Sequence, residues 1–137
     1  MKTLFKIFIF LTVFVVGSSA KAQSGLVIFR ENNEGTGKTI KQLTDSPATY
    51  DLTQVGGNDE IRSVVLVNVR VGAVISVFND NTGSSGHAYT VITVKSSGQF
   101  TLGGFEGSWE DGNLKVDYRP FGNDRELDGK VSFIRIE

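Results

Sequence analysis

Short runs of β-branched and aromatic residues, each stopped by a cluster of Gly, Asn, Asp or Ser, set the limits on how this chain folds. The runs are 26–30 (LVIFR), 62–70 (RSVVLVNVR), 73–78 (AVISVF), 89–95 (YTVITVK), 99–102 (QFTL), 114–118 (LKVDY) and 130–136 (KVSFIRI). Between them lie 32–37 (NNEGTG), 56–59 (GGND), 79–86 (NDNTGSSG) and 122–124 (GND). In the 62–70 run, Ser63, Val65, Val67 and Val69 fall on one face and Val64, Leu66 and Asn68 on the other. That alternation suits a half-buried strand, and no stretch sustains a helical period over three turns. Seven or eight short strands joined by turn chemistry predict an all-β Greek-key sandwich.

The first 22 residues have a different character. A short positive stretch, Met1 to Lys6, precedes an apolar run from Ile7 to Val16 broken only by Thr12. Small residues follow and end in Ala20-Lys21-Ala22. This is the three-part layout of a secretory signal peptide, cut before Gln23. The apolar run is about half of the roughly 20 residues that span a bilayer, which argues against an uncleaved anchor, and no second apolar segment approaches that length, so the mature chain, 23–137, carries no membrane span on this reading. The protein is expected to be secreted, or periplasmic in a bacterium. The sequence Asn-x-Ser/Thr does not occur in 23–137, so N-glycosylation is not expected.

Composition removes most catalytic chemistry. There is no cysteine, which excludes disulfides, thiolate nucleophiles and Cys-ligated metals. One histidine excludes multi-His zinc sites. Three of the 14 basic residues (Lys2, Lys6, Lys21) lie in the leader, which leaves 11 against 15 acidic ones and a mature charge near −4. A body of that sign offers no general attraction to nucleic acid.

An internal echo runs through the mature chain. Residues 29–33 (FRENN) correspond to 77–81 (VFNDN), and 58–64 (NDEIRSV) to 128–134 (DGKVSFI). Two four-stranded units, about 25–70 and 72–137, would each leave an apolar face to bury against the other.

These paired segments resemble the βγ-crystallin family, as two successive Greek-key motifs covering most of the mature chain. The family pattern is an aromatic hairpin followed by a loop of the type Asn/Asp-Asn/Asp-x-x-Ser/Thr-Ser. The loop copies here are Asn58-Asp59-Glu60-Ile61-Arg62-Ser63 and Asp128-Gly129-Lys130-Val131-Ser132-Phe133. The hairpin copies depart further, with Arg30 and Gly35 at aromatic positions and Phe78 the better match.

The resemblance implies two composite calcium sites, each taking oxygens from one loop, the fifth-position hydroxyl of the other and a hairpin carbonyl. Calcium accepts such mixtures of hard oxygen ligands. Carried over, one site would join Asn58, Asp59 and Glu60 with Ser132 and the Glu31 region. The other would need oxygen side chains where Arg62 and Gly129 stand, and the guanidinium brings a positive charge that opposes a cation. One competent calcium site and one dead one are therefore expected. Asn, Asp and Gly at strand ends are equally what tight turns require.

Other patterns carry less. Residues 34–39 (EGTGKT) lack the earlier glycine of a phosphate loop and a long following helix. Asn79 to Gly83 suggests an EF-hand loop, but its twelfth position is Thr90. His87 in a Gly/Ser turn reads as a solvated loop residue rather than part of a hydrolase triad. Trp109 and Phe105, on the Gly-rich acidic segment 103–112, are candidate partner-binding residues. The resemblance therefore implies a non-enzymatic secreted βγ-crystallin-like module that one calcium ion would stabilise. The alternative is an extracellular recognition protein for a glycan or another protein (lectin-like, adhesive, or of inhibitor or toxin type), acting through loops 103–112 and 79–87.

Overall fold

The computed structural model describes residues 24–137, so the leader expected over 1–22 lies outside them. The chain forms β1 (Leu26–Arg30), a 3-10 turn (Asn33–Gly35), β2 (Thr39–Thr44), β3 (Ala48–Asp51) and a one-turn helix α1 (Leu52–Val55). Then come β4 (Ser63–Val67), β5 (Val74–Phe78), β6 (Tyr89–Val94), β7 (Gln99–Leu102), β8 (Trp109–Glu110), β9 (Leu114–Arg119) and β10 (Phe133–Ile136).

The strands make two antiparallel sheets, ordered β2-β1-β4-β7 and β3-β10-β5-β6-β9-β8. The all-β Greek-key sandwich is as expected. The two halves, however, are not self-contained. The third strand of each pairs in the other's sheet: β3 lies beside β10, and β7 beside β4. The second sheet also has six strands rather than four, because the hairpin β8–β9, inserted between β7 and β10, adds to the edge at β6.

Alternation decides which face is buried. In β4, Val64 and Leu66 point into the core, as do Val27 and Phe29 in β1. From the second sheet come Ile75, Val77, Ile92, Val94, Leu114, Val116, Ile134 and Ile136. Each such side chain contributes about 1.5–3 kcal/mol of transfer free energy on burial. With no cysteine, this shared core holds the sheets together.

Some strand ends differ from the sequence reading, with local causes. The 62–70 run stops being strand at Val67 because Asn68 adopts a φ of 50°, a left-handed conformation that turns the chain out of the ladder. Strand β2, at a sheet edge, has only Ile40 and Leu43 packed on the core, and β3 only Tyr50, so neither shows a clean apolar alternation. Asp51 ends β3 and caps α1, its carboxylate accepting from Thr53 N–H at 3.0 Å. No helix among the described residues is long and apolar enough to cross a membrane.

Candidate metal centre and the adjoining cleft

The two echo loops meet. The Asp59 N–H donates to the Val131 carbonyl at 3.1 Å, and the Gly129 N–H donates to the Ile61 carbonyl at 2.7 Å. The second residue of each loop thus bonds the fourth residue of the other. Both donors sit in the left-handed region, Asp59 at φ 59° and Gly129 at φ 77°. Glycine and Asp are among the residues that accept that conformation at least cost. Ile61 and Val131 are fully buried and anchor the pair.

Each loop also grips a hairpin. The Arg62 N–H donates to the Arg30 carbonyl at 3.0 Å, where the β1–β2 hairpin begins. The Ser132 N–H donates to the Phe78 carbonyl at 2.8 Å, where the β5–β6 hairpin begins. These matched bonds give the two loops equivalent backbone surroundings, and side chains make the two sides different.

On one side are Asn58, Asp59 and Glu60 with Ser132. Asp59 and Glu60 are exposed, whereas the Ser132 side chain is buried, its hydroxyl making only a 3.4 Å contact to the Lys130 carbonyl. Asn58 Oδ1 is buried and has no hydrogen-bond partner among the described residues. An unpaired buried acceptor is costly, about 1–3 kcal/mol. A hard cation would satisfy it, and amide, carboxylate and hydroxyl oxygens are the donors calcium takes. No group of three or more His, Cys, Asp or Glu is positioned for a metal among the described residues, so the donors offered are Asn, Ser and carbonyl oxygens beside the two acids.

Glu31 is not part of this group. It follows Arg30 on the Arg62 side, its N–H donates to the Lys38 carbonyl at 3.0 Å, and its carboxylate pairs with Lys38 at 3.6 Å. The bond from Ser132 to Phe78 brings the β5–β6 hairpin there instead, so the sequence assigned the wrong hairpin.

On the other side a cavity of about 460 Å³ opens, lined by Arg62, Glu106, Glu126, Asp128 and Lys130 among others, and the Asp128 carboxylate is engaged by the protein itself. Asp128, the counterpart of Asn58, accepts from Phe105 N–H at 2.7 Å and from Asn33 Nδ2 at 2.8 Å. Arg62 stands where the other side has Ser132, and a Cβ on Gly129 would lie 2.9 Å from its Cζ. Burial raises the Asp128 carboxyl above its ordinary range, against the lowering effect of the Phe105 N–H, the Asn33 amide and the Arg62 charge.

The hairpins are pinned separately. Ser63 Oγ, fully buried, accepts from Gly35 N–H at 2.9 Å and donates to the Asn32 carbonyl at 2.5 Å. The Gly-rich stretch that resembled a phosphate loop is this turn, followed by a strand. In the β5–β6 hairpin, Asp80 accepts from the N–H groups of Thr82 and Ser84 and from the Thr82 hydroxyl, which hold its carboxyl below the usual range. Asp124 joins that hairpin to the 120–126 segment. It accepts from Asn79 Nδ2 at 3.0 Å and Ala88 N–H at 3.1 Å, and faces His87 Nδ1 at 3.3 Å.

The two candidate partner residues separate. Phe105 is fully buried in the core, and its carbonyl accepts from the Thr90 hydroxyl at 2.6 Å. It anchors the inserted segment and presents no surface to the outside, whereas the sequence reading offers it as a partner-binding residue. Trp109 is 41% exposed and lines a cleft of about 270 Å³ with Asn33, Glu34, Glu106 and Asp128. Neither Glu34 nor Glu106 was singled out from sequence. Their positions depend on a 3-10 turn and an insertion that no spacing rule exposes.

No protein-family model and no curated protein matches the chain. Solved structures similar to it include a βγ-crystallin domain from Clostridium beijerinckii, 19% identical, covering 81% of this chain and 95% of that one at a TM-score of 0.39. A clostrillin double mutant in complex with nickel is similar at 19% identity, 81% and 95% coverage and a TM-score of 0.39. The N-terminal domain of Protein S is similar at 18% identity, 82% and 94% coverage and a TM-score of 0.37.

Proposed function

We propose that this chain is an exported, non-enzymatic module of the βγ-crystallin type that binds one calcium ion for stability. Asn58, Asp59, Glu60 and Ser132 would hold the ion, with a carbonyl from the β5–β6 hairpin that follows Phe78. The observation that carries this reading is the buried, unpartnered Asn58 Oδ1 beside a second loop that brings up a hydroxyl. Internal pairing of Asp128 with Asn33 and Phe105, and the guanidinium of Arg62, argue that the matching pocket takes no ion.

An ion that binds only the folded state stabilises it by mass action, about 2.7 kcal/mol at a hundredfold excess over Kd. Calorimetric titration of the calcium-stripped protein tests the reading. One site per chain and a higher melting midpoint are expected. No heat and no shift at millimolar calcium removes the proposal. Export is tested by N-terminal sequencing of the protein recovered outside the cytoplasm, which should begin at Gln23.

A second reading, recognition of an extracellular partner, is favoured by one observation: the exposed Trp109 beside an acidic cleft.

A further inference from the structure

The inserted segment builds a recess that calcium binding does not use. Its walls are the 3-10 turn at Asn33 and Glu34, the strip Gly103, Gly104, Glu106 and Gly107, the Trp109 indole and the edge of Asp128. The glycine strip brings backbone close to carboxylates. A Cβ at Gly103 would lie 2.6 Å from the Glu34 Cδ, and one at Gly104 would lie 2.9 Å from Asp128 Oδ2.

The Trp109 backbone is held in an edge strand while its side chain is partly open to solvent. Its strand β8 pairs with β9, Trp109 opposite Val116, and Ser108 Oγ accepts from Tyr118 N–H at 2.9 Å. Four large apolar side chains are strongly exposed among the described residues: Val55, Val71, Trp109 and Phe121. Of these, Trp109 is the one that lines this recess.

The polar inventory of the recess selects a ligand class. Both hydrogens of the Asn33 amide are spent, on the Gly103 carbonyl at 3.1 Å and on Asp128 Oδ2 at 2.8 Å. Glu34 has no hydrogen-bond or ion-pair partner for its carboxylate among the described residues. Glu106 uses Oε1 for the N–H groups of Leu127 and Asp128, at 2.7 and 2.9 Å. Among the described residues no Lys or Arg lines the recess itself; Arg62 and Lys130 line the adjoining cavity of about 460 Å³, which shares Asn33, Glu106 and Asp128 with it. What remains is mostly acceptor and negative, beside an aromatic face. An anion finds no countercharge on the Trp109 side, and the Asn33 amide, the side-chain amide of the lining, has no hydrogen left to donate. A cation that only donates hydrogen bonds matches on every count, since an indole face attracts positive charge and the carboxylates supply charge-assisted bonds.

We propose that this recess binds an organic cation, an alkylammonium or guanidinium group, between the Trp109 indole and the Glu34 and Glu106 carboxylates. The group belongs to a free amine or to a Lys or Arg side chain of a partner. The inference goes beyond the calcium reading and does not depend on it.

Trp109 is the one tryptophan of the chain, so its emission reports directly on the recess. The protein is titrated in EDTA, at constant ionic strength, with Nα-acetylated argininamide and separately with Nα-acetylated citrullinamide, which keeps the shape and, with its α-amine blocked, lacks the charge. The expected result is a saturable change in emission with argininamide, Kd on the order of 1 mM, and none with citrullinamide. The pair Glu34→Gln and Glu106→Gln keeps side-chain size and should weaken binding at least about tenfold while the melting midpoint stays near wild type. An equal response to both ligands, no response, a response to N-acetylglucosamine alone, or one that appears only when calcium is added would overturn the proposal. Should the double variant fail to fold, the argininamide and citrullinamide arms still decide. A capped tripeptide bearing Arg separates the sources. Binding as tight as argininamide points to a protein side chain, and binding by argininamide alone to a small amine.

Discussion

Asn58 and Asp59 are adjacent, yet they respond to different constraints. Asp59 holds a left-handed φ of 59°, matched by Gly129 at 77° in the other loop. Replacing Asp59 with Gly keeps that conformation and removes only the carboxylate. The Asp59→Gly protein should therefore melt within a few degrees of wild type without calcium, and bind calcium about tenfold more weakly by calorimetry. Asn58→Ala removes an acceptor that nothing satisfies in the ion-free protein. Its melting midpoint without calcium should not fall by the amount usual for losing a buried polar side chain, while the calcium-induced rise should largely vanish. Ser132→Ala should likewise weaken the ion, whereas Arg62→Ala should leave affinity at the Asn58 site unchanged. The loop residues were legible in sequence because their six-residue spacing repeats. Glu31 was misassigned because the echo pairs segments along the chain and does not say which hairpin each loop grips. The bonds Arg62 to Arg30 and Ser132 to Phe78 settle that, and they are tertiary.

Among the elements, the inserted hairpin β8–β9 shows where sequence runs out. Residues 114–118 read correctly as a strand, since Leu114 and Val116 alternate with polar neighbours. Nothing in the sequence told Phe105, which fills the core, from Trp109, which does not, because both sit among glycines and acids. The difference is made by Asp128, whose carboxylate takes the Phe105 N–H, and by Thr90, whose hydroxyl takes its carbonyl. Phe105→Ala should cost about 3–5 kcal/mol in denaturant unfolding, as for other large buried rings. Thr90→Val leaves a buried carbonyl unpaired and should cost about 1–3 kcal/mol. If Phe105 faced a partner instead, its truncation would leave stability nearly unchanged. Strands β2 and β3 escaped the sequence reading for a different reason: each has one other strand beside it and little apolar surface to bury, so the alternation never forms.

At the scale of the whole molecule, the exchange of β3 and β7 makes the two halves a single folding unit. Neither half has a complete sheet without the other, so unfolding should be one cooperative transition by circular dichroism and by Trp109 emission alike. Acid stability carries the mark of Asp128. Its carboxyl titrates above its ordinary value of 3.8 in the folded protein, so the native state takes up this proton before the unfolded chain does. Through that window folding is favoured as pH falls, which offsets part of the stability lost by other carboxylates. Asp80 and Asp111 behave oppositely, since hydrogen bonds hold both below the ordinary value. Their contribution is present above 3.8 and is lost as pH falls through their folded values. Asp128→Asn should therefore give a steeper fall in melting midpoint on acidification than wild type shows. The overall architecture was legible because alternation and turn clusters are local, whereas the exchange of strands is a long-range property that no run announces.

The proposed function requires a single ion between the two echo loops. Calorimetric titration of the calcium-stripped protein, run beside Asn58→Ala and Asp128→Asn, tests this most directly. One site per chain is expected, strongly weakened by Asn58→Ala and untouched by Asp128→Asn. Two equal sites, or one abolished by the Asp128 change alone, would contradict it.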